Sequence, residues 1–105
     1  MNTESANLNR VKVPLSEDAV CKPGDFAWDF DSEPMGGDRK KTTHYIYLCL
    51  PGSNRFCAIE VQKGAPGGPR VWGWDGNEDS PTLTPSIHEP GHWHGWLRAG
   101  RLVSC

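Results

Sequence analysis

No stretch of this chain approaches the ~18 consecutive apolar residues that a membrane-spanning helix needs, so a membrane protein of that kind is not expected. An excess of basic charge is also missing: 11 Lys and Arg face 13 Asp and Glu, for a formal net charge of −2. That balance argues against a strongly basic nucleic-acid binder. The first ten residues, MNTESANLNR, lack a basic segment followed by an apolar one, so no secretory signal is expected there and a cytoplasmic location follows. Apolar residues are only 36% of the 105, which leaves little material for a core. No window repeats apolar residues at helical spacing, so little helix is expected and no coiled coil.

What is plentiful is turn chemistry and tryptophan. Twelve glycines and nine prolines accompany five tryptophans. Disordered chains are poor in aromatics, so this composition points to an ordered, loop-rich domain with an aromatic interior. The expected fold is mostly β: one small domain of short antiparallel strands and hairpins over residues 11–105, behind a flexible N-terminus at 1–10. The clearest strand is 42–50, Thr-Thr-His-Tyr-Ile-Tyr-Leu-Cys-Leu, rich in β-branched and aromatic residues. The turn Pro51-Gly52-Ser53-Asn54 then returns the chain along 55–61. Shorter strands are expected from Val11, Val13 and Leu15, from Phe26, Trp28 and Phe30, and at 71–74. Pro81 and Pro85 hold 82–84 extended. Residues 88–91 read as a turn, and 92–97 and 101–103 as a last hairpin about Arg98-Ala99-Gly100. Trp72, Trp74, Trp93 and Trp96 are expected in the core.

Charge is unevenly spread. Glu17, Asp18, Asp25, Asp29, Asp31, Glu33 and Asp38 crowd residues 17–38 against the single base Lys22, and Arg39, Lys40 and Lys41 follow. One reading is a solvated acidic loop with a balancing basic patch. The other is a partner-binding surface carried by Asp25, Asp29, Asp31 and Glu33.

Four cysteines and four histidines invite a metal reading. In a reducing compartment, spaced cysteines bind metal more often than they form disulfides. Cys49 and Cys57 bracket the first hairpin, while a histidine of His92-Trp93-His94 and Cys105 sit on the arms of the last one. Thiolate and imidazole suit tetrahedral zinc. The expected set is Cys49, Cys57, His94 and Cys105, with His92 as the alternative to His94. Cys21 is left as a free buried thiol. Four protein ligands would make the zinc structural, and binding it would help a meagre core to fold. If Cys105 left the ion, water could take its place, with Glu60 or Glu89 as the nearest general bases.

The run Trp72-Gly73-Trp74-Asp75-Gly76-Asn77, then Pro81-Thr82-Leu83-Thr84-Pro85-Ser86-Ile87, then His92-Trp93-His94-Gly95-Trp96-Leu97 to Gly100 and Cys105, resembles a family of small proteins from tailed phages and prophages. Members are often labelled ammonia monooxygenase. That label implies copper chemistry in a membrane-embedded complex, which a short chain without an apolar span does not suit. The resemblance covers 43–105, leaving the acidic residues 1–41 outside it, and implies that the cysteine and histidine set is shared. It suggests a phage-type accessory protein that binds a host protein, such as a component of a defence system, from the host cytoplasm. In that reading zinc holds the scaffold, the acidic loop recognises the partner, and an enzyme is less expected than a binding module. The alternatives are a metal-dependent hydrolase and a nucleic-acid-binding zinc module. The Pro-Thr-Leu-Thr-Pro-Ser run is read as an extended edge whose hydroxyls satisfy loop backbone.

Overall fold

Two β-sheets packed face to face hold the aromatic residues between them in the computed structural model, which describes residues 4–11, 20–32, 40–68, 70–91 and 93–105. The second and larger sheet is built around the strongest β sequence. Strand β4 (Thr43–Cys49) alternates side chains in and out, burying His44, Ile46 and Leu48. It pairs antiparallel with β5 (Phe56–Lys63), whose Ile59 and Val61 face the same interior. β3 (Asp25–Trp28) lies antiparallel on the other side of β4. The sheet order is β2–β3–β4–β5–β6–β7, where β2 is Asn9–Arg10, β6 is Trp72–Trp74 and β7 is Leu83–Thr84. Two of its pairings, β2 with β3 and β5 with β6, are parallel. The alternation of Phe26 and Trp28 does not continue to Phe30 as a strand, because Asp29–Ser32 forms a single helical turn, α1.

The first sheet is ordered β1–β10–β9–β8, with β1 Ala6–Asn7, β8 Ile87–Glu89, β9 Trp93–Arg98 and β10 Arg101–Ser104. Its central hairpin turns through Ala99 and Gly100, both at positive φ (47° and 77°), the two-residue geometry that matches strand twist. Ile87–Glu89 is a strand, so the expected turn at 88–91 is confined to Pro90 and Gly91. Residues 6–10, expected to be loose, instead close both sheets. β1 pairs with β10, and β2 pairs with β3. Arg10 reaches Asp31 at 2.6 Å, Asp79 at 2.9 Å and Glu78 at 3.3 Å. The strand expected from Val11, Val13 and Leu15 falls largely outside the described residues.

Phe26, Trp28, Phe30, Ile46, Leu48 and Trp74 are buried between the sheets with Leu83, Ile87, Trp93, Leu97 and Leu102. At roughly 1.5–3 kcal/mol per fully buried large side chain, this interior is the main favourable term in folding. Buried indoles keep their N–H groups satisfied. Trp28 donates to the Glu78 carbonyl, Trp74 to that of Asn77 and Trp93 to that of Glu4, each at 2.9 Å. The Trp-Asp-Gly-Asn run is thus a folded turn: Asp75 Oδ1 accepts from the backbone of Asn77 and Thr82, and Asn77 Oδ1 from that of Asp79 and Ser80.

Cys21 is not a free thiol. It forms a disulfide with Cys49, Cα to Cα 6.0 Å. The chain before β3 folds back along the hairpin turn, where Val20 bridges Arg55 and the Cys21 N–H donates to the Asn54 carbonyl at 3.1 Å. That return places Cys21 beside the end of β4. A disulfide closing 28 residues shrinks the unfolded ensemble and supplies the covalent staple that a small core needs. No helix among the described residues is long and apolar enough to cross a membrane.

Candidate functional site

The expected zinc set does not assemble. A disulfide cysteine has no thiolate to offer, which removes Cys49. Cys57 is free and half-buried on β5 in the second sheet, where burial and then the nearby Glu89 charge raise its thiol above the ordinary range. His94 and Cys105 are neighbours on the first sheet, with the Cys105 N–H donating to the His94 carbonyl at 3.0 Å. Among the described residues no three of His, Cys, Asp or Glu are grouped to hold a metal ion. The zinc-binding expectation is corrected accordingly; His92 lies outside the described residues.

The acidic residues expected to bind a partner are engaged within the chain. Asp25 accepts from the Asn9 amide and the Lys22 N–H, at 3.1 and 3.0 Å. Asp29 accepts from the Tyr45 N–H at 3.1 Å and meets His44 at 3.0 Å. Asp31 pairs with Arg10. Glu33 falls outside the described residues.

A different constellation occupies the outer face of the first sheet. Alternation along β9 turns Trp93, Gly95 and Leu97 inward and leaves His94, Trp96 and Arg98 outside. Register sets His88 of β8 directly opposite His94. Ser86, two residues before His88, points to the same outer face. Its Oγ lies 3.1 Å from His94 Nε2. With the ring proton on Nδ1, the Ser86 hydroxyl donates to Nε2, which is the geometry of a nucleophile hydrogen-bonded to its general base. Both side chains are half-buried, so the pair is neither sealed in the core nor loose in solvent.

Local structure fixes both partners. The Trp72 indole N–H donates to the Ser86 carbonyl at 3.4 Å. Gly67, at φ 86°, lets the preceding loop press on the backbone just before Ser86; a methyl there would run into the Thr84 carbonyl. His94 is held by the ladder on both sides, and Gly95 beside it leaves room for the Trp93 ring, which a methyl would strike. The His88 ring lies 4.8 Å from the His94 ring, tilted 39°. Among the described residues no carboxylate bonds His94.

Backbone directions add one more feature. In an antiparallel strand a residue's N–H and C=O point to the same side. The His94 carbonyl points to β10, so His94 and His88 form a non-hydrogen-bonded pair, and the His88 backbone faces away from β9. That side is the edge of the sheet, since β8 is its last strand. An extended chain could pair there, two residues from Ser86.

The model of the family described as bacterial ubiquitination-like system serine protease (BubE) matches residues 20–105, most of the chain. The chain belongs to this family. No curated protein and no solved structure matches it. Family membership overturns the expected phage accessory protein that inhibits a host, because the family is a protease of a bacterial system. Ser86 and His94 both lie within the matched span. In the sequence His94 stands out as a metal ligand and Ser86 only as a loop hydroxyl. The missed signal was a hairpin about residues 90–91, which sets Ser86 and His88 across from Trp96 and His94.

Proposed function

We propose that this chain is a serine-type peptidase in which Ser86 is the nucleophile and His94 the general base, acting on a protein component of a bacterial ubiquitination-like system. The observation that carries this reading is the 3.1 Å contact between Ser86 Oγ and His94 Nε2. Its occurrence inside the span matched by a serine-protease family supports it. Ser86 Oγ attacks the scissile carbonyl as its proton passes to His94 Nε2. The C–N bond breaks, the leaving amine takes that proton, and an ester to Ser86 remains. Water, deprotonated by the same nitrogen, then cleaves the ester and restores the serine. The His88 ring packs against His94 and limits its rotation, and β8, the last strand of its sheet, can align an extended segment of substrate at His88.

The test is incubation with a ubiquitin-like protein of a bacterial ubiquitination-like system, followed by intact-mass analysis. Wild type yields two fragments whose masses sum to the substrate plus one water, and Ser86→Ala yields none. Equal cleavage by Ser86→Ala would remove the reading.

A further inference from the structure

Beyond Ser86, the outer face of the first sheet carries two features that folding alone does not explain. Arg98 and Arg101 stand directly opposite each other across β9 and β10. Like charges in that position destabilise a hairpin. Both are exposed, and among the described residues neither has a carboxylate partner, although the chain carries more acids than bases. Arg10 shows the contrast, drawing in three acids. The second feature is Trp96. It is half-buried on the outer face, directly opposite the half-buried Val103, and the Arg98 guanidinium lies 4.5 Å over its ring. Stacking on an indole holds a guanidinium by its face and leaves its N–H edge for a carboxylate.

Register joins these residues to the reactive pair. With Ile87 opposite Gly95, the next position sets Ser86 beside Trp96, so Ser86, Trp96 and Val103 form one row and Arg98 with Arg101 the next. Rows on one face of a strand are about 7 Å apart, the span of two residues of an extended chain. We propose that this face docks an acidic segment of the protein substrate, its carboxylates on Arg98 and Arg101 and its apolar groups on Trp96 and Val103, next to the bond presented to Ser86. The proposal rests on the peptidase reading for its purpose, but the surface can be tested without turnover. Two arginines are too few to grip nucleic acid, where tight binders neutralise several phosphates; a peptide carboxylate pair fits their number.

The test is a ¹⁵N NMR titration of the whole chain with a hexaglutamate peptide, with hexaglutamine and a six-nucleotide oligo-dT as comparators. The expected result is saturable shifts at the Trp96 indole N–H and the Arg98 and Arg101 side chains. These weaken at high salt, are absent with hexaglutamine and vanish in the Arg98→Glu, Arg101→Glu double variant, whose remaining spectrum reports its fold. Hexaglutamate should also slow fluorophosphonate labelling of wild type several-fold and leave labelling of the double variant unchanged. Shifts scattered elsewhere, equal shifts with hexaglutamine, or stronger binding of oligo-dT would overturn the proposal. A chain that never reacts with fluorophosphonate but still binds hexaglutamate at these residues would fail the peptidase reading alone.

Discussion

Two histidines on neighbouring sheets show how partners decide what an imidazole can do. His44 is 3% exposed, wedged edge-on to Phe30 and Trp74. Its Nδ1 meets Asp29 at 3.0 Å and its Nε2 meets the Lys41 carbonyl at 2.8 Å. Both nitrogens are taken up by partners within the fold, so neither faces a reacting group. An Asp–His pair suggests catalysis on paper, yet here it pins the start of β4 to α1. His94 has no carboxylate among the described residues, but its Nε2 faces a hydroxyl that can donate. One histidine is locked between acceptors inside the fold, and the other is poised beside a nucleophile on its surface.

The largest expected effect separates the two at once. Ser86→Ala should lower peptidase turnover at least ~10³-fold, measured by fragment yield, while its unfolding midpoint stays at the wild-type value. Breaking the covalent staple should act on stability. Replacing Cys21 and Cys49 together by serine should cost about 2–4 kcal/mol in urea unfolding at fixed pH. Asp29→Asn, which removes the charged acceptor from His44 and from the Tyr45 N–H, should cost about 1–3 kcal/mol; part of Asp29 is solvent-exposed, which favours the low end. Activity per folded molecule should stay at wild type in that variant; a Ser86-sized loss would erase the distinction between the two histidines. The smallest effect concerns the free thiols. Burial raises Cys57, so at a given pH less of it is thiolate, and its alkylation by iodoacetamide should need more alkaline conditions than an exposed cysteine requires. Peptide mapping at neutral pH should find Cys105 modified first.

Much of the scaffold was legible because it rests on local chemistry. β-branched and aromatic residues around Ile46 and Ile59, split by Pro51-Gly52, specify a hairpin without help from the rest of the chain. Ala99-Gly100 does the same for the last one. Features decided by distant contacts were not legible. Nothing near Cys21 announces Cys49, because the disulfide depends on the chain folding back past Arg55. Residues 6–10 look too polar for strands until β10 and β3 supply the missing partners. The site failed for a related reason. Its residues were all in view, but Ser86 and His94 meet only if 87–89 is a strand rather than a turn. The thiols, more conspicuous as ligands, drew the histidine into a metal set that the Cys21–Cys49 disulfide breaks up.

Mass-spectrometric mapping of a fluorophosphonate adduct on the folded wild-type chain tests the reactive pair most directly. The account predicts one adduct per chain, on Ser86, lost in His94→Gln and retained in Asp29→Asn. An adduct on another hydroxyl, or undiminished labelling of Ser86 without His94, would contradict it.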